Sequence, residues 1–288
     1  MSAPEHGFRA TGIEPTDEQL AIQTAPARTI VVQANAGAAK TTTLALRIGQ
    51  ALATGTAAEQ ILALTYTPAA CQALRAALRK VGVAPALARR LAIRPFDDFS
   101  AEVLLGIERR PVPRRATPEA LAPGIWAAVR ALDMSADDGT PERFLSAALR
   151  LKGTLARDAL RWNGVTLTDD SAEDLGVELS LLRLFDAYER LRDPRTDGCD
   201  RPRFRGDFDA TYDLARLLAD PDSDTPLAEI AGWPRHLSHV LVDEMHDLNR
   251  AMFTILKALL EDPATRFCGV GDFDQVVHAG SGAEQRYM

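Results

Sequence analysis

The sequence predicts an α/β protein, a parallel sheet that carries a helical insertion, on three observations. Short β-branched apolar runs alternate with helix-forming segments at both ends of the chain. The stretch between about 101 and 225 carries helix-start signals instead. The first apolar run passes through a small-residue loop straight into a helix-forming segment, the junction at which parallel sheets place binding sites.

Taken in order, "RTIVVQ" (28–33) is the first strand, followed by the loop at Gly37 and the helix-favouring "TTTLALRIGQAL". "QILALTYT" (60–67) is a second buried strand. The amphipathic "PAACQALRAALRKVG" follows it, with Leu74, Leu78 and Val81 on one face. "HVLVDE" (239–244) is a third strand ending in two acids, and "RFCGVGD" (266–272) a fourth, with the helix "NRAMFTILKALLED" between them. In the middle, "TPEALAPGIWAAVRAL" and "TPERFLSAALRLKGTLARDALRW" each offer a Thr N-cap, Pro at the first helical position and Glu in the first turn. "SAEDLGVELSLLRLFDAYERLRD" continues the helical spacing, and "PRTDGCDRP" interrupts it. The expected division is a sheet domain of residues 1–100 and 226–288, with a helical insertion of residues 101–225.

Composition narrows the class. The 288 residues are 46% hydrophobic and 25% charged, the balance of a globular chain with a real core. No apolar run approaches the roughly 18 residues that span a bilayer, and the N-terminus lacks the order of a signal peptide, so a cytoplasmic protein with no membrane partner is expected. Cys71, Cys199 and Cys268 are far apart and form no CxxC pair, which speaks against a disulfide framework or a zinc site. The net charge of −7 argues against indiscriminate nucleic-acid binding. Yet Arg75, Arg79, Lys80, Arg89, Arg90, Arg94, Arg109, Arg110, Arg114 and Arg115 are bunched, either as a phosphate-backbone track or as a solvated helical face.

The chemistry concentrates at two places. In "QANAGAAKTTT", a strand-to-helix loop ends in Lys40 and Thr41, the residue types that give a phosphate a point charge and Mg²⁺ a hydroxyl. Ala34 and Ala39 stand where such loops usually carry glycine, so the segment alone is also compatible with an ordinary turn and a surface lysine. In "VLVDEMHD", Asp243 and Glu244 end an apolar strand, suiting one carboxylate to a metal ion and the other to an attacking water. A Lys-Thr loop followed by a strand-terminal acid pair is the two-part layout of an enzyme that cleaves nucleoside triphosphates.

Seven segments in register extend this. "TDEQ", "ANAGAAKT", "ILALTYTPAA", "RPFDDFS", "DFDATYDLARLL", "VDEMHD" and "GDFDQVVHAGSGA" follow one another from residue 16 to 283. In this order they resemble the N-terminal motor of UvrD/Rep/PcrA-like superfamily 1A DNA helicases. The resemblance implies a P-loop NTPase (RecA-like) sheet with an inserted helical domain, the second motor domain being absent from this chain. It implies ATP and Mg²⁺ as cofactors and single-stranded or partly duplex DNA as partner. Ala36, Gly37, Ala38, Ala39, Lys40, Thr41 and Thr42 would hold the phosphates and Gln19 the adenine edge, although Gln19 also suits a capping box with Thr16. Thr41 and Asp243 would hold the metal, Glu244 would be the catalytic base, and Gln275 would sense the γ-phosphate. Thr65, Tyr66, Thr67 and His278 would meet DNA, burial behind the sheet being the other reading of Tyr66. Phe96 and Phe99 are better placed in a core, and Asp207, Phe208 and Asp209 match a segment of architectural character.

The departures point the other way. Ala39 replaces a glycine where any positive φ would add strain of roughly 1 kcal/mol. Ala38 replaces a hydroxyl residue and His246 a glutamine. His278, Gly280 and Ser281 replace the family's tyrosine, stacking aromatic and phosphate-contacting arginine. The expected function is therefore the ATP-binding motor half of a UvrD-like helicase, either a fragment or one subunit of a split enzyme whose partner chain supplies the second motor, and dependent on that second motor for hydrolysis and unwinding. A non-catalytic nucleotide- or DNA-binding module is the alternative.

Overall fold

The computed structural model describes residues 7–35, 37, 39–156, 167–194, 201–220, 227–272, 274 and 279–287. Among these, five strands form one all-parallel sheet: β1 Thr29–Gln33, β2 Ile61–Thr65, β3 Ala92–Pro95, β4 His239–Val242 and β5 Arg266–Gly271, in the order β1-β5-β4-β2-β3. The strands read as continuous apolar runs because helices cover both faces. Along β2, Ile61 and Ala63 point into one core, and Leu62 and Leu64 into the other. After α1 (Asp17–Thr24), the first core lies under α2 (Lys40–Ala53), α3 (Pro68–Lys80) and α4 (Pro85–Arg90), where Leu74, Leu78 and Val81 are buried as their spacing requires.

Four of the strands lie where the sequence puts them. β3 is a fifth that the pattern does not announce, since "AIRP" is four residues long and contains Arg94 and Pro95. It pairs on one side only, as the sheet's outer strand, and there proline's missing N–H costs nothing. At the opposite edge, β1 leaves Val31 46% exposed.

The second core is larger. It joins the other sheet face to α5 (Phe96–Glu108), α6 (Pro118–Ala131), α7 (Thr140–Gly153), α8 (Asp169–Asp174), α9 (Leu179–Arg192), α10 (Asp209–Ala219) and α11 (Arg250–Leu259). Phe96 and Phe99 are core residues, as expected, and α5 runs unbroken across the division drawn at residue 100. Thr117 caps α6 through its hydroxyl, with Pro118 next. For α7 the cap is Gly139; Thr140 is the first helical residue, and its hydroxyl binds Asp137 instead. The helix read from 171 to 193 is in fact two, α8 and α9, broken at Gly176 with φ +64°. Cys71 and Cys268 are buried and free, whereas Cys199 lies outside the described residues. No described helix is long and apolar enough to cross a membrane.

Inside this core sits a charge network. Arg192 is fully buried between Glu189 (2.7 Å) and Asp213 (2.7 Å). Lys152 bonds Glu189 at 3.1 Å and also Asp209, with its ammonium 5.6 Å from the Tyr188 ring centre. Arg205 joins Asp213 (2.9 Å) to Glu108 (2.9 Å). Buried charges survive only when paired and hydrogen-bonded, and here α5, α7, α9 and α10 supply one another's counterions. Asp209 and Phe208 are thus architectural, and Asp207 pairs with Arg114 at 3.2 Å. At its C-terminal end α7 comes so close to the turn 279–281 that a methyl group on Gly153 would lie 1.9 Å from the Ser281 carbonyl oxygen.

Candidate functional site

The loop after β1 turns twice through the left-handed region, at Gly37 (φ +79°) and Ala39 (φ +52°, ψ +39°). Ala39 therefore carries the strain its sequence position implies. Nothing lies within 4 Å of where a side chain on Gly37 would project, so the loop faces open space. Ala36 and Ala38 lie outside the described residues.

Ala39 is followed by the first turn of α2, made of Lys40, Thr41 and Thr42. No side chain caps this helix and no acid sits in its first turn. The first N–H groups of a 14-residue helix are thus left to an outside acceptor, and the helix dipole makes an anion the favoured one.

Facing them is the end of β4. Thr41 Oγ1 donates to Asp243 Oδ2 at 2.9 Å, and Lys40 Nζ lies 3.3 Å from Glu244 Oε2. The loop and the acid pair, some 200 residues apart, thereby form one polar cluster. Burial pushes the Asp243 carboxyl up to about 6; the Thr41 hydroxyl opposes that shift and the neighbouring Glu244 charge adds to it. The Glu244 backbone is left-handed (φ +55°), and its N–H donates to Asp243 Oδ1 at 3.1 Å, which aims the two carboxylates differently. Glu244 Oε2 is buried and accepts no hydrogen bond. A hydroxyl and a carboxylate side by side, a second carboxylate ion-paired with a lysine, and free helix N–H groups suit a magnesium–triphosphate in chemistry and charge.

His246 is buried behind the acids. Its Nδ1 accepts from the Asp272 N–H at 3.1 Å, so the proton of the neutral ring sits on Nε2, 3.8 Å from Asp247 Oδ2. It ties the end of β4 to the end of β5 by a hydrogen bond that sequence reasoning did not anticipate. Asn249 was also missed. Its side-chain oxygen accepts from Met252 N–H to cap α11, and its amide donates to the Ser281 carbonyl at 3.3 Å. An Asn directly before a helix-forming run is the signal that could have found it.

Gln19 serves both of its sequence readings in part. Its Oε1 accepts from Thr16 N–H (3.1 Å) in a capping box, while its Nε2 reaches Thr43 Oγ1 (3.5 Å), in the turn of α2 that follows Lys40. In the segment after β2 the three residues separate. Thr65 is fully buried, its hydroxyl bonded to the Thr67 carbonyl and against Cys71 Sγ, so its side chain faces the interior. Thr67 caps α3 through its own hydroxyl. Tyr66 is half-buried; burial pushes its hydroxyl upward, opposed by the hydrogen bond it makes with Ser281. Ser281, at the arginine position of the resemblance, is itself buried beneath α7. Gln275 and His278 lie outside the described residues.

Four members of the arginine cluster turn to different partners. Arg75 donates to the carbonyls of Ala88 and Ile93, Arg94 pairs with Glu102, Arg90 with Glu59, and Arg114 with Asp98 and Asp207. Arg79, Lys80, Arg89, Arg109 and Arg110 are exposed.

A family profile described as an AAA domain (AAA_19) matches residues 18–281. The ATP-dependent DNA helicase UvrD1 of Mycobacterium tuberculosis (strain ATCC 25618 / H37Rv) is 26% identical over 300 aligned positions, covering 96% of this chain and 34% of the helicase. UvrD1 of Mycobacterium bovis aligns to the same extent. YjcD of Bacillus subtilis (strain 168), likewise named as an ATP-dependent DNA helicase, is 23% identical over 280 positions, 94% of this chain and 33% of that protein. The chain thus spans about a third of the length of these relatives.

Proposed function

Because the chain belongs to the AAA_19 family of UvrD/Rep-like helicase domains, we propose that it is the Mg-ATP-binding half of a DNA motor, with a second motor domain needed for hydrolysis and unwinding. The observation that carries this reading is the uncapped start of α2, where Lys40 and Thr41 lie against Glu244 and Asp243.

Lys40 and the free N–H groups of α2 would bind the phosphates, with Gln19 beside them for the base. Thr41 and Asp243 would hold Mg²⁺, which supplies charge neutralisation at the phosphoryl group being transferred. When Lys40 turns from Glu244 to a phosphate, the Glu244 carboxylate is released to orient a water and accept its proton. His246, held by Asp272, keeps the acid-bearing turn in place. Single-stranded DNA is the partner that Tyr66 and Thr67 would meet, at the carboxyl end of β2.

Equilibrium binding of labelled Mg-ATP tests this. Lys40→Ala is expected to weaken binding roughly a hundredfold, the usual cost of removing one partner of a close charge contact. Equal affinity in wild type and variant would end the nucleotide assignment.

One observation favours a second reading, a binding module without turnover. Ser281 is buried against Asn249 and Tyr66, so no cation reaches the site from that position. DNA-stimulated ATP turnover by residues 1–288 alone would exclude it.

A further inference from the structure

Outside the nucleotide cluster, a groove of about 540 Å³ runs along the outer face of α11, between the C-terminal end of α10 and the last described turn. Its floor is aromatic. Phe253, 37% exposed, packs on Tyr287 with ring centres 5.2 Å apart and planes tilted by 36°. Arg250 and Lys257 flank Phe253 at i−3 and i+4, which places all three on one helical face and the two cations about 10 Å apart along it. Neither cation has an ion-pair partner among the described residues. Arg286 is instead held by Glu284 (2.7 Å) over the Tyr287 ring, and Glu261 is the acid that lines the groove.

An aromatic pair with a free cation on either side is the arrangement by which proteins hold unpaired bases and the phosphates that flank them. An apolar protein segment seated here would desolvate both cations without pairing them, whereas the phosphates of a strand would pair them. We propose that this groove is a second single-stranded DNA contact, separate from the Tyr66–Thr67 segment. In it a base stacks on Phe253 and Tyr287 while the neighbouring phosphates meet Arg250 and Lys257. The inference rests on the DNA-motor reading, but it uses none of the nucleotide-site residues. The groove is also tied to that site, because the turn Gln285–Tyr287 packs on the turn Met245–Asp247, directly after Glu244.

The test is fluorescence anisotropy of the full chain with a labelled oligothymidylate, at several salt concentrations. Phe253→Leu with Tyr287→Leu, which keeps bulk but removes the stacking faces, is expected to weaken binding about tenfold. Lys257→Glu, at an exposed position, is expected to weaken it as well and to lower the slope of log affinity against log salt by about 0.7 or more. A short duplex, whose bases are already stacked, is expected to bind more weakly than the single strand. Unchanged affinity in both variants, with unchanged melting temperatures, overturns the proposal; so does equal binding of single strand and duplex. If Tyr66→Ala alone removes DNA binding, the groove is refuted and the DNA-motor reading stands. If Lys40→Ala leaves nucleotide binding intact while the groove variants still lose DNA, the nucleotide assignment fails and the groove survives.

Discussion

The protein holds two clusters of charge, and they differ in what a newcomer could displace. At the carboxyl ends of β1 and β4, Lys40 meets Glu244 and Thr41 meets Asp243, one contact each, at the mouth of an open loop. Between α5, α7, α9 and α10, Arg192, Lys152 and Arg205 meet Glu189, Asp209, Asp213 and Glu108, with every side chain enclosed and most of them shared. In the first cluster a phosphate or a metal ion can take over each contact at little loss. In the second each charge is held by several others at once, and removing any member strands the rest. Charge by itself does not mark a site; replaceable charge does.

The sharpest way to break this contrast is at Arg192. Arg192→Met leaves Glu189, Asp209 and Asp213 facing only Lys152 and Arg205, and is expected to cost about 3–5 kcal/mol in chemical denaturation. Lys40→Ala, in the open cluster, is expected to leave the denaturation midpoint nearly unmoved while removing nucleotide affinity.

Next comes Asp97, at the start of α5 beside the enclosed network. Burial, opposed by the Thr211 N–H, raises its carboxyl from 3.8 to about 6. The folded protein therefore holds this proton more tightly than the unfolded chain does. The associated stability is present below about pH 4 and is lost as the pH rises through about 6, by up to roughly 3 kcal/mol. Asp97→Asn keeps the acceptor for Thr211 and should flatten this part of the curve of melting temperature against pH, with a gain at pH 8. The smallest effect is expected at Ala39. Ala39→Gly relieves a left-handed alanine at a gain of about 1 kcal/mol or less, and calorimetry should show nucleotide binding tightened by a few-fold.

The same contrast explains what the sequence revealed. Lys40, Thr41, Asp243 and Glu244 are legible as candidates because they stand as adjacent pairs in two short runs that each follow a strand. Lys152, Glu189, Arg192, Asp209 and Asp213 are scattered over some sixty positions, each unremarkable in its own helix, and only the folded chain brings them together. The bunched arginines mislead for the converse reason: proximity in sequence suggests a track, while Arg75, Arg90, Arg94 and Arg114 turn to different partners. Strands with both faces covered declare themselves as apolar runs. β3 does not, because an outer strand of four residues has room for Arg94 and Pro95. The break between α8 and α9 hangs on the single Gly176, which helical periodicity alone passes over.

The close approach of α7 to the turn 279–281 makes Gly153 a natural lever. That turn is gripped from a second side by Asn249, the cap of α11, and from a third by Tyr66. A methyl group at residue 153 would prise the turn outward without altering a polar atom, as a wedge opens a joint. Gly153→Ala is then a tool for asking whether the inserted helices speak to the sheet. If they do, nucleotide and single-stranded DNA affinities should shift together, although the substituted residue touches neither ligand.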